Sequence, residues 1–104
     1  MQYLKFGQLI KFDSGATYSI CLRGARIYDK AQPLSIFTGN DIHTHNAEII
    51  SYNHFRFKDL RSGDLLDNYN KNVRSVQTLL EAMIDVYSDF DDREIITILR
   101  FTIQ

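Results

Sequence analysis

The three histidines of the chain lie close together in the stretch GNDIHTHNAEIISYNHFRF, from Gly39 to Phe57. Imidazole nitrogens bind transition metals and transfer protons near neutral pH, so a metal site or a proton relay is the first chemistry to consider. His43 and His45 are two residues apart and would share one face of a strand, while His54 lies further along. A zinc site needs further ligands, and no cysteine or helical His-x-x-x-His pair lies nearby. We therefore expect a polar strand or turn, with no metal and no cofactor.

Two other groups of residues could serve in catalysis. The single cysteine, Cys21, would need a lowered pKa and a neighbouring base to act as a nucleophile, and the local sequence supplies neither. We interpret it as a small buried side chain on a strand. SDFDDRE, from Ser88 to Glu94, holds four carboxylates, but Arg93 among them favours a solvated turn over a hydrolytic pair. We assign no catalytic residue and lean against an enzyme.

Length and charge limit the classes of function. The chain has 104 residues and a net charge of −1, whereas a domain that binds nucleic acid through its overall charge is strongly basic. Any nucleic-acid contact must therefore come from a local patch. Lysines interrupt the apolar residues of the first segment, unlike a signal peptide, and no apolar run approaches the ~20 residues that span a bilayer. We expect one cytoplasmic domain over residues 1–104, without membrane contact.

The clearest elements predicted from periodicity are a helix and two strands. Apolar residues in SVQTLLEAMIDVY recur at helical spacing and form one stripe, and Asn72 or Ser75 would cap its start. The final REIITILRFTIQ is almost continuously apolar, which is typical of a strand buried on both faces. Alternation in TYSICLR predicts a strand with two distinct faces. One face comprises Tyr18, Ile20 and Leu22, and the other comprises Ser19, Cys21 and Arg23.

The remaining segments complete an α+β fold. Helical spacing predicts a helix from Leu4 to Ser14, ended by Gly15 and preceded by a short strand at 2–4. PLSIFT and AEIISYNHFRF are predicted strands, joined by a turn at Asn40–Asp41. This order predicts a small curved sheet plugged by one or two helices.

Four of these segments, in this order, resemble the ASCH domain, a small PUA-like β-barrel. They are SGATYSICLR, AEIISYNHFRFKDL, LLEAMIDVY and IITILRF, and the resemblance runs from about Leu4 to Ile103, with Phe101 at a near-constant phenylalanine of the family. It implies a PUA-like, ASCH-like barrel with one long C-terminal helix before the last strand. The small bacterial acetylcytidine amidohydrolases are the most similar in size.

The catalytic residues implied by that enzyme group are missing here. Its lysine and threonine precede the arginine of the strand; aligned on Arg23, their positions hold Tyr18 and Cys21. Its glutamate, ahead of the long helix, falls at Lys71 or Asn72. The resemblance therefore implies the fold and the arginine, without the amide-hydrolysing machinery.

The resemblance places Arg23 in a cleft, where a guanidinium can donate two hydrogen bonds to a phosphate or a carboxylate. Arg26 and Lys30 would extend a basic rim, and Tyr18 would stack on a base. The alternatives are an arginine paired with an acid, solvated loop charges and a core tyrosine. We predict a module that binds RNA or a nucleotide.

Two other functions stay open. The first is a divergent nucleoside amidohydrolase or nuclease that uses Cys21, a histidine such as His54, or a bound metal. The second is a small protein-interaction regulator of the phage type, which a large exposed apolar patch would favour.

Overall fold

Five strands form one mixed sheet in the order β1–β3–β4–β5–β2. The computed structural model describes all residues from Met1 to Gln104. The strands are β1 (Gln2–Lys5), β2 (Thr17–Arg23), β3 (Leu34–Thr38), β4 (Ile42–Arg56) and β5 (Ile95–Ile103), and the helix α1 is Val76–Val86. Three 3₁₀ turns, Phe57–Asp59, Ser62–Leu65 and Lys71–Val73, connect β4 to α1. The α+β class predicted from periodicity is confirmed.

The sheet does not close into the barrel that was expected. β1 and β2 are its two edges, and neither pairs with the other. β1 runs parallel to β3, while the other neighbouring pairs are antiparallel. The pairing of β4 with β5 shifts register between Ile49 and Ser51, and an irregularity of this kind bends the strand. The bend does not bring β1 and β2 together as hydrogen-bonded neighbours.

The helix predicted over Leu4–Ser14 is wrong. β1 ends at Lys5, and an irregular segment follows it. Leu4 and Phe6 are both buried, as alternate residues of an extended chain, whereas Leu9, in the predicted apolar stripe, is 81% exposed. The Phe6 N–H donates to the Phe37 carbonyl at 2.9 Å, so pairing with β3 continues past the strand end. Tertiary pairing thus overrides a spacing that also fits a helix.

β5 separates two apolar clusters and is buried on both faces, as predicted. Leu99, Phe101 and Ile103 face the interior of the curved sheet, while Ile96 and Ile98 face α1. The Thr17–Arg23 alternation is also confirmed, since the apolar side chains of β2 join the first cluster and Cys21 packs on the second.

α1 buries a narrower stripe than its periodicity predicts. Leu79 and Met83 are 4% and 6% exposed and belong to the cluster on Ile96 and Ile98, but Ile84 is 44% exposed. Phe101 lies on the other face of β5. Ser75 caps the helix start by accepting a hydrogen bond from the Thr78 N–H at 3.2 Å. At 11 residues, α1 is too short to cross a membrane, and the chain has no longer helix.

Candidate functional site

An apolar cleft of about 400 Å³ lies where the two edges of the sheet face each other. Its walls come from the end of β1 and the residues after it, from the middle of β2, from the segment before α1, and from α1 itself. The lining side chains include Lys5, Phe6, Cys21, Asn68, Tyr69 and Tyr87. The open sheet therefore leaves a concave, mostly apolar surface between its edges, the usual kind of location for a binding site.

The segment Asp67–Tyr69 is held against β2 by a single parallel β-bridge between Ser19 and Asn68. The Ser19 N–H donates to the Asp67 carbonyl (2.8 Å), and the Tyr69 N–H donates to the Ser19 carbonyl (2.9 Å). The Asp67 carboxylate accepts hydrogen bonds from Ser19 Oγ (2.8 Å) and Arg100 Nε (2.9 Å). Two guanidinium nitrogens of Arg74 donate to the Asn68 carbonyl, at 3.0 and 2.9 Å. This wall of the cleft is therefore fixed by the nearby Arg74 and by Ser19 and Arg100, which are distant in sequence.

Polar groups on β2 and Asn68 have no protein partner in the cleft. Asn68 is 1% exposed; its Oδ1 accepts the Asn70 N–H at 2.9 Å, but its Nδ2 donates to no protein acceptor. Ser19 directs both backbone groups outward from β5, so strand alternation directs those of Cys21 the same way. No loop or side chain bonds the N–H or C=O of Cys21. The cleft thus offers donors and an acceptor along one apolar wall.

Three aromatic residues, Phe6, Tyr69 and Tyr87, line the cleft. Tyr69 packs edge-on against Phe6, with ring centroids 4.9 Å apart, and burial raises the pKa of its hydroxyl. Tyr87, just past the end of α1, is 37% exposed. Lys5 lines the wall formed by β1, and its ammonium group lies over the ring of Tyr3, 5.5 Å from the centroid. A flat apolar ligand with polar edges would match these surfaces.

No family model matches the chain, and no curated protein matches it. The crystal structure of an ASCH domain from Lactobacillus crispatus JV V101 superposes on it with a TM-score of 0.70, over 98% of this chain and 79% of that chain, at 10% sequence identity. The chain has an ASCH-like fold. The resemblance inferred from the sequence is thereby confirmed at the level of the fold. At this identity, the likeness leaves the ligand and the chemistry open.

Arg23 of the ASCH-like fold is paired with acids beside the cleft. Its Nε and Nη2 donate to the two oxygens of Glu94, at 2.8 and 3.1 Å, and Nη1 donates to Asp89 at 3.1 Å. The guanidinium covers the rings of Tyr87 and Phe90, 5.0 and 5.7 Å from their centroids. These hydrogen bonds lower the pKa of both carboxyls and raise the pKa of Arg23. Ligand binding by Arg23 stays a prediction.

The other predicted binding residues are dispersed. Tyr18 accepts the Asp13 N–H at 3.0 Å and packs on the rings of Phe12 and Phe101, within the interior cluster. The Nε of Arg26 donates to the Arg23 carbonyl at 3.1 Å, which places these two residues together. Lys30 is exposed in the loop before β3, and none of the predicted binding residues lines the cleft.

Cys21 lines the cleft as a protonated thiol. Burial raises its pKa from 9.0 to about 12, and no neighbouring cation offsets that effect. In the ASCH-like fold it stands on the face of β2 that packs toward α1, as the alternation predicted. A thiol of this kind is a poor nucleophile at neutral pH.

The histidines all lie on β4 and engage separate partners. His43 Nε2 lies 2.9 Å from Asn46 Oδ1, and His45 Nδ1 lies 2.8 Å from the hydroxyl of its neighbour Thr44. His54 Nε2 donates to the Arg26 carbonyl at 2.7 Å. No group of three or more histidine, cysteine or acidic side chains is placed to hold a metal ion. That the protein binds no metal stays a prediction.

Sequence reasoning missed Asn68 and Tyr69, which both line the cleft. They lie in LLDNYNK, where the only local signal is the asparagine pair, since asparagine side chains often bond the backbone two residues on. Asn68 and Asn70 both do this. That signal predicts a turn, but it cannot say which surface the turn will face.

The Arg23–Glu94 pair should make the stability of the fold depend on pH in the acidic range. The pKa of Glu94 is lowered from 4.5 in the folded protein, so the pair stabilises the fold above about pH 4.5, and this contribution is lost as the pH falls through the folded-state pKa. Glu94→Gln is therefore expected to lower the Tm at pH 7, by a margin that shrinks below about pH 4.5. Thermal melts from pH 7 to pH 3 would measure it. Asp92→Asn, an exposed neighbour without a bond to Arg23, is the control, and a margin constant with pH would contradict the assignment.

Proposed function

We propose that this ASCH-like chain binds an unstacked RNA base or a nucleotide in the cleft, without the amidohydrolase chemistry of the related enzymes. The observation that carries the proposal is the unpartnered edge formed by Asn68 Nδ2 and the Cys21 backbone, beside the Tyr69 ring. Proteins recognise single-stranded RNA by stacking a base on an aromatic ring and bonding its polar edge. The cleft offers both kinds of contact.

The local chemistry supports binding over catalysis. In the alignment on Arg23 that the resemblance implies, Tyr18 and Cys21 fall at the positions of the lysine and threonine. The Cys21 thiol is protonated at neutral pH because burial raises its pKa to about 12. The resemblance places the position of the glutamate at Lys71 or Asn72. Neither can serve as the missing carboxylate base. We propose that residues 1–104 act as one cytoplasmic unit in this role.

Phosphate contacts in this proposal come from few cations. Lys5 lines the cleft directly, and Arg26 and Lys30 lie in one loop near Arg23, where they would meet a strand leaving the cleft. With a net charge of −1, the chain has no general attraction for a polyanion. Binding is therefore expected to involve only a few phosphate contacts, so the affinity should fall only modestly as the salt concentration rises.

One observation favours a protein partner instead. Ile84 and Val86 are 44% and 71% exposed near the end of α1, next to Tyr87 at the cleft. Exposed apolar residues that cluster on one element are typical of an interaction surface. This alternative predicts that the cleft itself binds no nucleic acid.

Tyr69→Ala is expected to weaken binding of short single-stranded RNA by about tenfold to a hundredfold, because a base stacked on an aromatic ring gains ~1–3 kcal/mol. Tyr69→Phe keeps the ring and should bind within about twofold of the wild type. Fluorescence titration at two salt concentrations would measure both, with thermal melts to verify that each variant is folded. If the wild type binds neither RNA nor any nucleoside at low salt, the proposal fails and the protein partner is favoured.

A further inference from the structure

The three donor nitrogens of Arg23 have unequal partners. Nε and Nη2 hold both oxygens of Glu94, whose side chain is 30% exposed. Glu94 is in turn fixed by the Asp91 N–H, which donates to its Oε2 at 2.8 Å. This side of the guanidinium is therefore anchored, and the fork orients the third donor, Nη1.

Asp89 is the weakly held partner. It accepts one hydrogen bond, from Nη1 at 3.1 Å, and its side chain is 80% exposed. It lies in the turn after α1, which the Phe90 N–H closes on the Tyr87 carbonyl at 2.9 Å. An exposed ion pair with a single contact contributes little to stability, so its carboxylate can leave at small cost.

The pair stands next to the cleft. Arg23 lies over the Tyr87 ring at 5.0 Å, and that ring lines the cleft. Tyr87 therefore contacts both the cleft and the guanidinium, so a ligand in the cleft would lie close to Arg23. The arriving group must be an oxyanion, because it has to replace a carboxylate on a guanidinium nitrogen.

We infer that Arg23 Nη1 is an anion subsite for a phosphomonoester, and that Asp89 occupies it in the free protein as an internal competitor. The inference rests on the proposed function for the rest of the ligand. Binding exchanges the Asp89 carboxylate for a phosphate oxygen, and Asp89 moves into water while Glu94 keeps its fork. Because Asp89 competes for Nη1, the wild-type protein binds a nucleoside and its 5′-phosphate with similar affinities.

The test compares the four ribonucleosides with their 5′-monophosphates by calorimetry. For the best base, the wild type should bind both forms within about threefold. Asp89→Ala should tighten the monophosphate by about tenfold, since an unopposed charged hydrogen bond is gained, and leave the nucleoside unchanged. Asp92→Ala removes the same charge from the same loop without touching Arg23, and it should change neither. An equal gain with both variants, or no selective gain with Asp89→Ala, overturns the subsite.

A second readout separates this inference from the proposed function. Inorganic phosphate, compared with chloride at matched ionic strength, should raise the Tm of Asp89→Ala and leave that of Asp89→Ala with Arg23→Gln unchanged. If phosphate stabilises the single variant while no nucleoside binds, the subsite stands and the base site fails. If nucleosides bind but phosphate has no effect on the single variant, the subsite is refuted alone.

Discussion

Leu79→Ala is expected to lower the free energy of unfolding by about 2–5 kcal/mol, the range measured when a buried leucine is truncated in a packed core. Leu79 is 4% exposed and joins α1 to Ile96 and Ile98 of β5. α1 has 11 residues, and helices of this length are marginal in isolation. Its packing on β5 therefore supplies most of the energy that keeps it folded. The cavity left by Leu79→Ala should consequently lower the free energy of unfolding by its full cost.

Ile84→Ala is the matched control in the same helix. Ile84 is 44% exposed and lies outside both buried clusters, so its truncation should cost less than about 1 kcal/mol. Urea denaturation followed by circular dichroism would measure both variants. Equal losses for the two would show that the stripe seated on β5 has been assigned wrongly.

Cys21 is expected to react with a disulfide reagent on the order of a hundredfold more slowly in the folded protein than in the unfolded chain. The thiolate is the reacting form, and burial raises the pKa of this thiol to about 12. At pH 8 the folded protein therefore holds very little thiolate. Restricted access in the cleft wall adds to the same effect.

The reaction can be followed by the colour released at pH 8, with and without urea, and with free N-acetylcysteine as a reference for an unburied thiol. Cys21→Ser should give no signal, which verifies that this single thiol accounts for the reaction. Rapid stoichiometric labelling of the folded wild type would revive the hypothesis of a cysteine nucleophile.

Patterns within one element predicted most of the fold. The alternation of TYSICLR and the apolar run of IITILRF each specify which faces are covered, because side chains of a strand alternate whatever the partner is. The same reasoning failed for Leu4–Ser14, where the apolar spacing fits a helix as well as an extended chain. Pairing with β3 selects the extended conformation. That pairing depends on residues outside Leu4–Ser14, so the sequence of the segment alone does not reveal it.

The cleft could be predicted only in part, because its geometry depends on contacts between distant residues. Arg23 was predicted from the resemblance, but its partners Glu94 and Asp89 follow it by 71 and 66 residues. The wall carrying Asn68 is positioned by Ser19 and Arg100, again far along the chain. Such partners are set by the sheet order, which local periodicity does not contain.

The position of β5 between β4 and β2 affects how fast the chain can fold. β3, β4 and their turn are neighbours in sequence, but β2 meets its partner only when residues as far apart as Thr17 and Thr102 come together, 85 positions away. The entropic cost of closing a loop grows only slowly with its length, by about 0.6 kcal/mol for each doubling. This strand order therefore lowers the free energy of unfolding only slightly. Contacts so distant in sequence do slow folding. The wall of the cleft that β2 provides is thus tied to the most non-local pairing in the sheet.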